Sequence, residues 1–253
     1  MFDEQSLLAA HFCEAIILFC TMKLLKKSLL ILAAIIGASA NECVWAQAEK
    51  DVPQKITVLE ERKDAKGNIV RKVEFFKDGM RVTQTTISPP MPSFKDRKPY
   101  NVDTMNLDSL MVYVDKTNYL VALIYKRKRI RQYRAVFGPD RLKDKLCEGD
   151  RATPEGWFKI TSVRDNANWG KFIQLNYPNE ESYKKHKDAK AKGLIAPQVG
   201  VGSAIGIHGT YPTGAKMVEM GLGWTDGCVS MTTADIMDFY KFVRPGVRVF
   251  IKK

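Results

Sequence analysis

Two side chains in this sequence have the types and local settings needed for acyl transfer through a thiol. His208 closes Ile207-His208-Gly209-Thr210, and Cys228 lies within Gly223-Trp224-Thr225-Asp226-Gly227-Cys228-Val229-Ser230-Met231. A thiol with the ordinary pKa of about 8.5 is only a few per cent ionised at neutral pH, so a nucleophilic Cys needs an imidazole at hand to take its proton. The chain holds only 3 His. His11 falls in a segment expected to be absent from the mature protein, and His186 sits in a Lys-rich stretch that reads as solvated, which leaves His208. A lone Cys is often just a small buried apolar residue, and a lone His a satisfied core residue. The two together, with Gly209 and Gly227 beside them, argue for a nucleophile and its base.

Of the 5 Cys, Cys13, Cys20 and Cys43 are expected to leave with an N-terminal leader. Cys147 and Cys228 remain and could pair in an oxidising compartment, the structural alternative for Cys228. Cys147 lies in a charged loop, Lys145-Leu146-Cys147-Glu148, with no matching half-motif. A free Cys228 is therefore expected. Neither Cys-x-x-Cys nor His-x-x-x-His occurs, so no metal site is expected.

The elements that must position this pair read mostly as strands: short runs rich in Val, Ile, Tyr and Phe, bounded by Gly, Pro, Asn and Asp. Leu110 to Lys116, Tyr119 to Tyr125, Tyr133 to Gly138, Phe172 to Leu175 and Val247 to Ile251 are the clearest. Lys126-Arg127-Lys128-Arg129 falls at a hairpin connection and reads as a solvated turn. Two segments read as helices. Glu180 to Lys192 sets Glu180 and Glu181 four residues ahead of Lys184 and Lys185, with Gly193 as a stop, and reads as a surface helix or lid. Ile236, Phe239, Tyr240 and Val243 follow a Thr232/Thr233 cap at helical spacing. Between His208 and the Cys turn, Thr210 to Leu222 is apolar, with Gly214, Gly221 and Gly223 as hinges. It reads as a segment able to fold over an acylated thiol.

Upstream, residues 49–88 alternate apolar and polar positions around Lys66-Gly67-Asn68 and Lys77-Asp78-Gly79, as a small β-meander. Residues 89–106 form a Pro-rich linker, and 107–253 the main domain. Met22-Lys23-Leu24-Leu25-Lys26-Lys27, the apolar run Ser28 to Ile36 and Gly37-Ala38-Ser39-Ala40 make a secretory signal peptide over 22–48, with 1–21 as an upstream extension. The competing reading is an uncleaved membrane anchor. After processing no stable membrane span is expected, and the chain should be periplasmic or otherwise extracytoplasmic. The net charge of +12 is scattered and carries no nucleic-acid motif; an anionic envelope surface is the natural neighbour.

From about Leu107 to the C-terminus these segments resemble the L,D-transpeptidase catalytic domain family (YkuD/ErfK type). The likeness includes Glu148-Gly149-Asp150-Arg151-Ala152-Thr153-Pro154-Glu155-Gly156, and Thr225-Asp226-Gly227-Cys228 is a variant of the active-site motif. The commoner form has His before Gly-Cys and Arg two residues after the Cys, where this chain has Asp226 and Ser230. The resemblance implies a mainly β sandwich or barrel-like domain with a few helices, preceded here by the meander. It implies Cys228 as nucleophile, His208 as base oriented by the Gly209 carbonyl, and backbone N–H groups at Gly227-Cys228 for the oxyanion. Trp224, Thr225, Asp226, Ser230 and Arg151 are expected to line the substrate site. Asp226 is expected to pair with a substrate ammonium or a lid cation such as Lys216, or else to hold the turn. Arg151 is expected to meet a substrate carboxylate or to pair with Glu148 or Glu155. The implied partners are peptidoglycan stem peptides, with carbapenems as covalent inhibitors and no cofactor. Hydrolysis of the same acyl-enzyme, by an L,D-carboxypeptidase or amidase, is the first alternative. A non-catalytic cell-wall binding protein is the second.

Overall fold

The computed structural model describes residues 54–77, 79–91, 94 and 98–253. The expected extension 1–21 and signal peptide 22–48 lie outside the described residues. The meander is present as an antiparallel sheet of β1 (Gln54–Lys63), β2 (Ile69–Lys77) and β3 (Met80–Ser88). Its first turn is closed by Asp64, whose carboxylate accepts the N–H groups of Lys66 and Asn68 at 2.8 and 2.9 Å, the side-chain turn that Asp favours.

The rest of the strands close into a barrel. They are β4 (Leu110–Asp115), β5 (Leu120–Tyr125), β6 (Lys128–Val136), β7 (Gly156–Asn166), β8 (Gly170–Leu175), β9 (Gly206–His208), β10 (Val229–Met231) and β11 (Arg248–Lys252). Around the barrel the order is β10-β6-β5-β4-β11-β7-β8-β9. Closure pairs every strand on both sides and so leaves no sheet edge open. Leu110, Val112 and Val114 of β4 and Val249 and Ile251 of β11 alternate into the interior, as a period of two requires. Tyr100, Val102 and Met105, inside the stretch read as linker, also pack on this core, and Arg244 donates to the Val102 carbonyl at 3.2 Å.

Three helices join these strands: α1 (Glu180–Ala191), α2 (Ala215–Met220) and α3 (Thr233–Phe239). In α3, Thr232 caps the Asp235 N–H at 3.1 Å and Ile236 and Phe239 are fully buried. The helix stops short of Val243. Its continuation tightens into three-residue bonds, Phe242 to Phe239 and Val243 to Tyr240, because Pro245 disfavours helical backbone before it. Asn179 caps α1, and Lys185 ties the helix to Asp144 at 2.8 Å. His186 corrects the sequence reading: it is buried and bonds the Leu146 carbonyl at 2.7 Å. The buried stripe of α1 is Ser182, His186 and Ala189, which has no large apolar residue to announce it.

One buried cation holds the long loop between β6 and β7. Lys116 is fully buried, and its ammonium donates to the Lys143 and Thr153 carbonyls at 2.6 and 2.9 Å and meets Glu155 at 2.7 Å. Burial pulls its pKa below the usual lysine value. Replacing it by Met strands the Glu155 carboxylate and two carbonyls. Lys116→Met should cost about 3–5 kcal/mol in chemical denaturation, the usual loss when one partner of a buried pair is removed. A change under about 1 kcal/mol would show that the loop holds without it.

Candidate active site

Strand pairing builds the site. β9 and β10 run parallel, with Ile207 beside Val229 and His208 beside Ser230. One step back in this register sets Cys228 beside Gly206, on the same face as His208 because side chains two apart share a face. The thiol thus sits beside a residue without a side chain, on the side of the sheet that His208 shares. The Gly206 N–H reaches the sulfur, and the Ala204 carbonyl accepts from Sγ at 3.6 Å.

The turn that delivers Cys228 is held by Thr225. Its hydroxyl donates to the Cys228 carbonyl at 2.7 Å and accepts the Gly227 N–H at 3.3 Å. Gly227 has φ +136°, and a Cβ there would stand 2.6 Å from the Ala152 carbonyl oxygen. Only glycine fits that position. Ala204, whose carbonyl meets the sulfur, and Arg151, next to Ala152 at the Gly227 turn, both lie in the left-handed region at φ 58° and 52°. Each such non-glycine residue costs about 1–3 kcal/mol that the surrounding packing offsets.

His208 is held by a bond that settles its tautomer. Nδ1 lies 2.6 Å from the Gly209 carbonyl, which can only accept, so Nδ1 carries the proton and Nε2 is the free base. The Ser230 hydroxyl donates to the same carbonyl at 3.2 Å. Ser230 is fully buried, so it faces the imidazole's support and not the cleft. A Cβ on Gly209 would collide with the Trp169 carbonyl. The ring itself is stacked by Trp169 at 4.3 Å and 24° and by Phe172 at 5.8 Å, with Trp224 edge-on at 5.5 Å.

This aromatic enclosure desolvates His208. Burial pushes His208 down to about 4, and burial first, then the nearby Asp226 charge, pushes the Cys228 thiol up to about 11. At neutral pH both groups are uncharged. The thiol is a donor and Nε2 a base, so proton transfer accompanies attack instead of preceding it.

Asp226 is exposed and pairs with Arg151 at 3.2 Å. Its cation is therefore Arg151, not Lys216, and Arg151 turns to Asp226 in place of Glu148 or Glu155. Arg151 also donates to the Trp224 carbonyl at 3.4 Å. Lys145, absent from the sequence-derived site, is buried between Asp150 at 2.8 Å and the Asp226 carbonyl at 3.4 Å. Lys145, Arg151 and Asp226 line a cleft of about 400 Å³ with Glu148, Gly149, Gly202 and Ser203. Trp169 and Gly206 were equally unmarked, since neither belongs to the motif that carries His208 and Cys228.

Cys147 and Cys228 are both free, so the two do not pair. The segment after His208 differs from the hinged flap read from its glycines. It folds as a short turn, Pro212–Gly214, followed by α2. Tyr211, Met217 and Leu222 are buried in a cluster with Val73 and Phe75 of the meander. Their apolar faces are already used, and the segment packs as a wall beside Trp169 and Trp224.

The sequence model of the L,D-transpeptidase catalytic domain (YkuD) matches residues 110–251. The chain belongs to the L,D-transpeptidase catalytic domain family. No curated protein matches it in sequence. It is similar to several solved structures. The L,D-transpeptidase of Xylanimonas cellulosilytica (residues 123–326) is 15% identical, with 57% of this chain and 60% of that chain covered and a TM-score of 0.36. The L,D-transpeptidase of Stackebrandtia nassauensis is 16% identical, with 59% and 58% covered and a TM-score of 0.37. The L,D-transpeptidase LdtMt1 in complex with imipenem is 11% identical, with 82% and 85% covered and a TM-score of 0.37. The first two similarities span only about three-fifths of the solved chains' own length.

Proposed function

We propose that this protein is a peptidoglycan L,D-transpeptidase working through a thioacyl-enzyme on Cys228. The observation that supports the reading is the parallel register of β9 and β10, which puts Cys228 on the same side of the sheet as His208, whose free nitrogen is Nε2. Sγ attacks the carbonyl between the third residue of a stem tetrapeptide and its terminal D-alanine, while Nε2 takes the thiol proton. Backbone N–H groups at the Gly227-Cys228 turn meet the developing oxyanion; one such donor contributes on the order of 3 kcal/mol. Collapse breaks the C–N bond, and His208 returns the proton to the departing amine of D-alanine. An acceptor amine then attacks the thioester, His208 removes its proton, and the C–S bond breaks to restore the thiol. One amide is exchanged for another and no water is consumed.

Transfer is favoured over hydrolysis by the wall beside His208. Trp169, Phe172 and Trp224 pack on the imidazole, with Tyr211 at 6.1 Å from Trp169 and 5.8 Å from Trp224. A thioester on this side is shielded from water until an amine arrives. Incubation with a disaccharide tetrapeptide, followed by mass analysis, is expected to give D-alanine and dimers joined between third-position residues. Tripeptide and D-alanine without dimer at high acceptor concentration would make it an L,D-carboxypeptidase instead. No turnover at all would leave the cell-wall binding reading. The reaction belongs outside the cytoplasm, and export rests on the leader pattern of residues 22–48. N-terminal sequencing of the exported protein should begin between Asn41 and Glu49; retention of residues 1–21 would favour an anchor.

A further inference from the structure

The wall of the barrel opposite the nucleophile carries a second feature that acyl transfer does not use. In the strand order β11 lies four strands from β10 in either direction, so its outer face points away from β9 and β10. Across that face the register places Tyr113 of β4, Phe250 of β11 and Trp157 of β7 in one row. Their rings lie in sequence, Tyr113 to Phe250 at 6.4 Å and 31°, and Phe250 to Trp157 at 4.8 Å and 38°. Trp157 is 48% exposed and the other two are half-buried. A tilted row of three rings on a sheet exterior leaves π faces open to solvent.

Cations frame the row. Arg248 lies 5.8 Å over the Trp157 ring and Lys252 lies 5.9 Å over Tyr113. Lys252 is held by Asp115 at 3.3 Å. Lys159, two residues on from Trp157 and level with Arg248, is exposed and has no ion-pair partner among the described residues. Lys159 and Arg248 also line a cleft of about 500 Å³ with Leu107, Asp108, Pro245 and Gly246.

We propose that this wall binds a glycan chain whose pyranose rings carry carboxylates. The C–H face of a sugar ring is weakly positive and settles on the negative face of an aromatic ring, and carboxylates complement Lys159 and Arg248. A flat row of which only Trp157 is largely exposed suits a flat ring better than a bilayer, which calls for aromatic side chains that plunge below the headgroups. Bound there, a glycan with free carboxylates leaves the β9–β10 side that carries Cys228 open.

Binding is read without turnover, which separates this inference from the acyl-transfer reading. The full chain is sedimented with peptidoglycan glycan strands stripped of their stem peptides, whose lactyl carboxylates are free. Trp157→Ala and Lys159→Glu are each expected to weaken retention, the first about tenfold, the scale of one lost stacking contact. Carbapenem acylation and the melting curve of both variants should stay unchanged, and Cys228→Ala should be retained like wild type. Retention of both wall variants at the wild-type level would overturn the proposal. So would failure of the wild type to bind stripped glycan, or capture by anionic phosphatidylglycerol vesicles in its place.

Discussion

Cys228→Ala is expected to abolish tetrapeptide turnover while the protein stays folded. The side chain is half-buried and its sulfur makes only weak contacts, with the Ala204 carbonyl and the Gly206 N–H. Removing it should cost about 1 kcal/mol of stability, the common scale for a single substitution. Its chemical loss is complete, because the attacking sulfur itself is gone. A carbapenem should add one covalent mass to the wild type and none to the variant. Cys147 serves as an internal control, since it is also free and partly exposed. The imidazole near its loop, His186, is turned to the Leu146 carbonyl, and the Cys147 thiol pKa is raised by burial and by Asp150. A carbapenem adduct mapped to Cys147, or a Cys147–Cys228 disulfide in active protein, would overturn the assignment.

The second large effect concerns the base. His208→Gln should lower kcat by on the order of 10²–10⁴, the usual contribution of a positioned general base. The pH profile carries the stronger test. His208 has its pKa pushed down to about 4, so Nε2 is neutral and able to accept a proton at every pH above that. Below it the imidazole is protonated and the wild-type kcat/KM should fall about tenfold per pH unit. Between about pH 5 and 10 the profile should be flat, because the thiol, raised to about 11, does not ionise there by itself. In His208→Gln only ionised thiol reacts, so the residual rate should climb with pH through the alkaline range. A wild-type bell with limbs near the ordinary values of His and Cys would show instead that the pair titrates as solvated groups.

Much of the site is legible in the amino-acid sequence for a physical reason: nucleophilic catalysis needs a thiol, a base and a tight turn, and few residue types supply them. His208, Gly209, Gly227 and Cys228 stand in two short segments whose composition already marks strand ends and a Gly turn. The strands are legible too, since a half-buried sheet writes its period of two into the chain, as in Leu110, Val112 and Val114. The fine placement is not. Which cation meets Asp226 depends on the loop that Lys116 clasps from beneath, and that contact joins residues far apart in sequence. His186 looks solvated because its neighbours are lysines, yet the fold buries it against Leu146. Thr210 to Leu222 looks like a hinge because of its glycines, yet Val73 and Phe75 occupy its apolar face. The uncharged state of His208 and Cys228 is likewise decided only by the tertiary structure. Desolvation sets it, by Trp169, Phe172 and Trp224 around the imidazole, and burial is a property of packed surfaces that no single segment of the chain contains.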